Sequence, residues 1–187
     1  MRLWITVVLA LTLAGCAAVR PHRITNFTLD THALDALAIG NVAVLPFKNV
    51  TYNFDAPSVA TGLFDDQLRD IRRFTVLRRE NIIELYKDRD LDPDRIERPE
   101  AIEIGRVLGV DGVVMGMVTD FRPGKVGVSA RLLDVATGEL VWEAGDTFVG
   151  KEKGVQLLVD PEDRDRLTRN PSYLCKILCR ELVNTMR

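Results

Sequence analysis

The chain is predicted to be an α/β protein, a single domain built on a mixed sheet with helices on both faces. Three observations predict this. Short apolar runs alternate with amphipathic helical stretches between Asn41 and Gly109. The run Val110 to Thr119 is apolar at odd and even positions alike, as a central strand covered on both sides should be. Two alternating stretches then flank Thr137-Gly138, and a helical stretch closes the chain. Early alternation followed by a meander makes the sheet mixed rather than all parallel.

Each element has a local reason. Val42-Ala43-Val44-Leu45-Pro46-Phe47 is a buried strand that ends at Pro46 or has a free side there, because proline cannot donate to a ladder. Asp55-Ala56-Pro57 starts a helix, with Asp55 as cap and proline in the first turn. Ala60, Leu63, Phe64, Gln67, Leu68 and Ile71 share its apolar stripe, while Asp65, Asp66, Arg69, Asp70, Arg72 and Arg73 form a solvated face. Phe74 to Leu77 is a second strand, and Glu80 to Lys87 a helix with Ile82, Ile83 and Tyr86 inward. The charged stretch Asp88 to Arg98 is a solvent-facing loop. Pro99 opens a third helix, which Gly109 ends in the left-handed conformation. Gly112 and Gly116 share one face of the central strand, where they would let a helix approach. Val126, Val128, Ala130 and Leu132 form the next strand, and Leu140, Trp142, Ala144 and Phe148 the last, joined by a tight turn at Thr137-Gly138. Asn170-Pro171-Ser172 opens the final helix.

The composition is that of an ordinary globular protein: 47% hydrophobic, 28% charged, formal net charge −2. No basic excess suggests nucleic acid, and the acidic balance argues against electrostatic capture by anionic lipid. The only histidines, His22 and His32, precede the domain, so a Ser-His or Cys-His pair within it has no base. Asp88, Asp90 and Asp92 copy the start of a calcium loop, but Pro93 and Pro99 stand where glycine and glutamate are needed. Two cysteines on one helix fall short of a zinc site. No metal, cofactor or enzymatic activity is expected. Cys175 and Cys179, four apart in a helical pattern, are expected to be small buried hydrophobes rather than an internal disulfide; the other reading is a cross-link between subunits.

The N-terminus has a different character. After Arg2, Leu3 to Leu13 is almost wholly apolar, yet too short to span a bilayer, which takes about 20 residues. Leu13-Ala14-Gly15-Cys16 resembles the lipobox of bacterial lipoproteins. That resemblance implies that residues 1–15 are a signal peptide and that Cys16 carries a diacylglyceryl group and an acylated amine. More than one acyl chain gives stable anchoring. Ala17, rather than aspartate, after the cysteine implies the outer membrane. Residues 16–40 are read as lipidated cysteine and a tether able to dock late on the domain, and 41–187 as the domain.

Four segments carry a second resemblance. They are Val42 to Asn49, Phe74 to Asn81, Gly105 to Met117 with Leu108-Gly109-Val110-Asp111-Gly112, and Leu133 to Trp142. In this order they are similar to the CsgG/LpoB/PelC-like periplasmic domains, whose fold is related to the TolB N-terminal domain. The resemblance implies a lipid-anchored, non-enzymatic subunit of an export or envelope-assembly complex. It would have protein partners in the envelope and could form a homo-oligomeric ring. The alternative is an activator of a peptidoglycan synthase, which the short tether disfavours. The chain has no room for the extra hairpins that build a membrane barrel. One further segment is a candidate contact. Val155, Leu157, Leu158 and Val159 lie in an apolar patch between charged flanks. If exposed they meet a partner or the bilayer; the reading favoured by the sequence is a short turn packed on the core.

Overall fold

The computed structural model describes residues 19–37 and 40–187. The expected signal peptide and Cys16 lie outside the described residues. The strands are β1 (Phe27–Leu29), β2 (Asn41–Val44), β3 (Lys48–Asn49), β4 (Thr75–Val76), β5 (Gly112–Arg122), β6 (Lys125–Asp134) and β7 (Leu140–Val149). The helices are α1 (Thr31–Leu37), α2 (Ala56–Asp70), α3 (Arg79–Asp88), α4 (Arg98–Leu108), α5 (Lys153–Gln156), α6 (Arg164–Arg169) and α7 (Pro171–Asn184). The strands form one sheet in the order β1-β7-β6-β5-β2-β4, and β3 also pairs with β5. Pairing is parallel for β2 with β4 and with β5, and antiparallel for β5-β6, β6-β7 and β1-β7. The sheet is mixed, as expected.

Helices cover both faces. Val42, Val44, Val114, Val128, Leu132, Trp142 and Phe148 pack with Phe64 and Leu68 of α2 and Leu174, Leu178 and Leu182 of α7. On the other side, Ala43, Leu45, Val113 and Leu133 meet Ile82 and Tyr86 of α3 and Ala101 and Ile104 of α4. Pro46 does divide the first strand: β2 ends at Val44, and β3 resumes the pairing with β5 at Lys48. Gly109 takes φ 66° and ends α4 as expected. The Asn170 side chain caps α7 by accepting from the Tyr173 backbone N–H at 3.0 Å.

Several expectations need correction. The stretch read as tether is largely part of the fold. β1 pairs with the outer edge of β7, Ile24 and Leu34 are buried, and His22 Nε2 lies 2.8 Å from Asp146 Oδ2. The sheet otherwise would leave β7 as a bare edge, and the N-terminal strand covers it. The folded region therefore starts near His22, not Asn41. Asp65 is not solvated: it is buried and accepts from Arg69 Nε at 2.8 Å, while Arg69 also donates to the carbonyls of Val76 and Leu77. One guanidinium fork thus joins α2 to β4, which a view of α2 alone could not show. The charged loop between α3 and α4 does face solvent as expected, with Ile96 alone buried and Asp94 tying it to β3 by accepting from the Asn49 backbone N–H at 2.7 Å. Gly116 makes room for the Phe47 ring, not a helix: a Cβ there would lie 2.4 Å from it. The close helix approach is made by Gly105 of α4 instead, whose absent Cβ would meet Val113 and Val135 within 2.7 Å. The β6-β7 turn is longer than a two-residue hairpin. It is closed by Gly138 N–H to Asp134 O (2.8 Å) and Thr137 N–H to Asp134 Oδ1 (2.8 Å). Finally, β5 is covered on both sides only in its first part; Met115 and Met117 remain half-exposed.

Candidate functional site

The chain concentrates its unusual features at one end of the sheet, where Arg122 of β5 faces Lys125 of β6 across their hairpin. β3 runs toward this end beside β5, and the loop that follows, residues 50–55, lies against Thr119, Asp120, Phe121 and Arg122 across an open cleft of about 690 Å³. Tyr52 and Phe54 on this loop are 104% and 94% exposed, and Val50 is 60% exposed. Exposed aromatic side chains of this kind are costly to keep in water without a use.

The loop is nonetheless built, not slack. Asn49 Oδ1 accepts from both the backbone N–H (2.9 Å) and the hydroxyl (2.8 Å) of Thr51. Asn49 Nδ2 donates to Asn53 O (3.0 Å), and Thr51 Oγ1 accepts from the Asn53 N–H (3.1 Å). Asn53 Oδ1 accepts from the Asp55 N–H (3.0 Å), while Val50 N–H donates to Val118 O (3.2 Å). The polar side chains close the loop on itself, as Asn and Thr do in side-chain-capped turns. That leaves Tyr52 and Phe54 pointing away from it. Asp55, expected to cap α2, makes no side-chain cap bond.

The N-terminal segment enters the fold at the same end. The His22 N–H donates to Gly154 O (3.0 Å), and the His22 ring meets the Phe148 ring edge-on at 4.9 Å. Gly154 lies in α5, directly beyond the end of β7. The candidate contact residues sit here too, but divided. Val155 is fully buried in the core. Leu158 and Val159 are half-buried against the core, and Leu157 is 41% exposed. Arg180 Nη2 holds the Leu158 carbonyl at 3.0 Å. Of the four, Leu157 alone faces outward.

Among the described residues no three His, Cys, Asp or Glu side chains converge as metal ligands, and no helix is long and apolar enough to cross a membrane. Cys175 and Cys179 are unbonded and fully buried, with Sγ atoms 3.9 Å apart. Their hydrogen bond, and then burial, hold the Cys179 thiol well above the usual thiol range. A raised thiol pKa means less thiolate at any pH, and the thiolate is the nucleophile. With both thiols buried out of reach of reagent, Cys175 and Cys179 should not react with iodoacetamide at pH 8 in the folded protein, while both should react in denaturant; intact-mass measurement reads the difference. Burial also removes the cross-link between subunits as a reading.

These features define a class: a helix-covered mixed sheet that presents a rigid aromatic loop and its N-terminal connection at one end. The family model described as curli production assembly/transport component CsgG matches residues 35–130, just over half of the chain, and the protein belongs to this family. Solved structures share the fold. The chain is similar to a PelC dodecamer from Paraburkholderia phytofirmans, at 20% identity and TM-score 0.54 over 86% of this chain and 96% of that one. It is also similar to lipoprotein GNA1162 from Neisseria meningitidis, at 18% identity and TM-score 0.52 over 58% and 79%. LpoB from Escherichia coli aligns at 17% identity and TM-score 0.50 over 79% and 80%. No curated protein matches the chain.

Tyr52 and Phe54 were not legible as a site in the sequence. The one signal is the pair of aromatics spaced two apart inside a run of turn-forming residues, Asn49 to Asp55. There they belong to no apolar stripe.

Proposed function

We propose that this protein is a lipoprotein held on the periplasmic face of the outer membrane by acyl chains on Cys16, after loss of residues 1–15. In this reading it is a non-enzymatic structural or accessory subunit of an export or envelope-assembly complex. The family match over residues 35–130 carries the reading. The way the N-terminus folds supports it. Because His22 is docked on Gly154 and Asp146, the link from Cys16 to the fold extends at most about 21 Å. The domain works beside its membrane rather than across the periplasm, which speaks against a far-reaching activator of a peptidoglycan synthase.

The mechanism is geometric. Confinement to a membrane raises the effective concentration of the domain for its own copies and for partners. Head-to-tail contacts between copies then close into a ring, the kind of assembly seen in the PelC dodecamer. Two measurements test the reading. Mass spectrometry of the native protein should find Cys16 as the first residue, carrying acyl chains, in material that sediments with outer membranes. Mass photometry of the lipidated protein in detergent should find a discrete closed oligomer. An unacylated Cys16 rejects the anchor, and a strict monomer at every concentration rejects the ring.

A further inference from the structure

Among the described residues, eight large hydrophobic side chains are exposed, and five of them lie at the hairpin end: Val19, Val50, Tyr52, Phe54 and Leu157. This clustering places the least soluble part of the surface where the N-terminal connection leaves the fold. Arg20 already touches this end, since its carbonyl lies 3.3 Å from where a Cβ on Gly154 would be. Four residues separate Cys16 from Arg20, a reach of at most about 14 Å. The loop carrying Tyr52 and Phe54 is about four strand spacings away across the sheet, from β3 past β5, β6 and β7 to the N-terminal segment. At ~4.8 Å per strand that is roughly 19 Å. A lipid anchor so short leaves the domain little choice of which end it turns toward the bilayer.

We propose that the loop bearing Val50, Tyr52 and Phe54 inserts into the interfacial layer of the leaflet that holds the Cys16 acyl chains. This rests on the anchored reading above. The chemistry suits the partner. Tyrosine and phenylalanine lower their free energy at the boundary between headgroups and acyl chains, tyrosine keeping its hydroxyl wet. The side-chain hydrogen bonds of Asn49, Thr51 and Asn53 pre-order the loop, so insertion costs little conformational entropy. This end carries charge of both signs: Arg20, Arg122, Lys125, Lys151 and Lys153 beside Asp55, Asp120 and Glu152, with Asp120 paired to Arg122 and Lys125. The rings carry the contact, and anionic headgroups would add to it. Its consequence is orientation. The anchor alone holds the domain near the membrane, whereas anchor and loop together fix which way it faces, so neighbouring copies present matching sides.

The test uses the full lipidated chain with Phe54→Trp, and in a second sample Tyr52→Trp, reconstituted into phosphatidylcholine vesicles with and without brominated acyl chains. Trp142 is fully buried and supplies a constant background. The expected result is a shift of the new emission to shorter wavelength and its loss on bromination, already in phosphatidylcholine alone. Flotation and the mass of Cys16 are read on the same samples. If the protein floats with acylated Cys16 but the new tryptophan emits as in water, the insertion is overturned and the anchor stands. A shift that bromine does not quench, and that grows with protein density, shows the loop buried against a second copy and also overturns insertion. If Cys16 is unacylated and nothing floats, anchor and insertion fall together.

Discussion

Trp142→Ala is expected to destabilise the protein by about 3–5 kcal/mol, the range for deleting a large aromatic from a close-packed core. Trp142 is fully buried in β7. It stands opposite Leu132 of β6 and Leu29 of β1, and its ring lies 6.1 Å from that of Phe64 in α2. Its indole Nε1–H donates to Thr185 Oγ1 at 2.8 Å, and that hydroxyl in turn donates to Leu182 O at 2.7 Å. One side chain thus fastens the sheet, α2, the end of α7 and the N-terminal strand. Truncation leaves a cavity that four separate elements would have to shift together to fill. Trp142→Phe keeps most of the packing but deprives Thr185 of its donor, and should cost less. Urea unfolding with an unchanged slope measures both. A loss below about 1 kcal/mol for the alanine variant would contradict this account of the core.

The second large effect comes from adding one methyl group. Gly150→Ala should cost about 1–3 kcal/mol, toward the upper end, because the neighbour that must give way is backbone. A Cβ at Gly150 would lie 2.2 Å from the Leu167 carbonyl oxygen and 2.6 Å from its carbon. Gly150 sits just past β7, where its N–H donates to Gly124 O at 2.9 Å, so it cannot easily retreat. The helix α6, with Leu167 fully buried, would have to lift off the sheet. Gly109→Ala makes the contrast: its φ of 66° is strained for alanine, but nothing lies within 4 Å of the new Cβ. It should cost only about 1 kcal/mol. Thermal unfolding of the two variants side by side separates close packing from backbone conformation. Equal losses would mean that the approach of α6 to β7 is looser than described.

Both effects arise where separate parts of the chain meet, and this is also where sequence reading stopped. The alternating positions of β6 and β7, the stripe of α2, the division at Pro46 and the stop at Gly109 were legible, because each follows from residues within a few positions of one another. The first strand of the sheet was not. Phe27–Leu29 is three residues with no periodicity of its own, and it becomes a strand only because β7 offers it an edge. Asp65 read as solvated because its partner contacts include carbonyls on β4. Gly116 was correctly marked as a place of close approach, but the group that approaches, Phe47, was not identified.

The candidate site divides in the same way. Leu13-Ala14-Gly15-Cys16 and the charge and histidine counts are legible in the sequence alone, since a short motif and a composition need no fold. So did the fold family, because four short segments in a fixed order are a one-dimensional pattern. What brought Tyr52, Phe54, Leu157 and the N-terminal connection to one end was the tertiary structure. Those residues are up to well over a hundred positions apart, and only the parallel run of β3 beside β5, with β7 ending at α5, gathers them. Local sequence determines which side chains are apolar and which backbone stretches extend or coil. Whether an apolar side chain ends in the core or in solvent depends on what the rest of the chain places over it, and for this loop it places nothing.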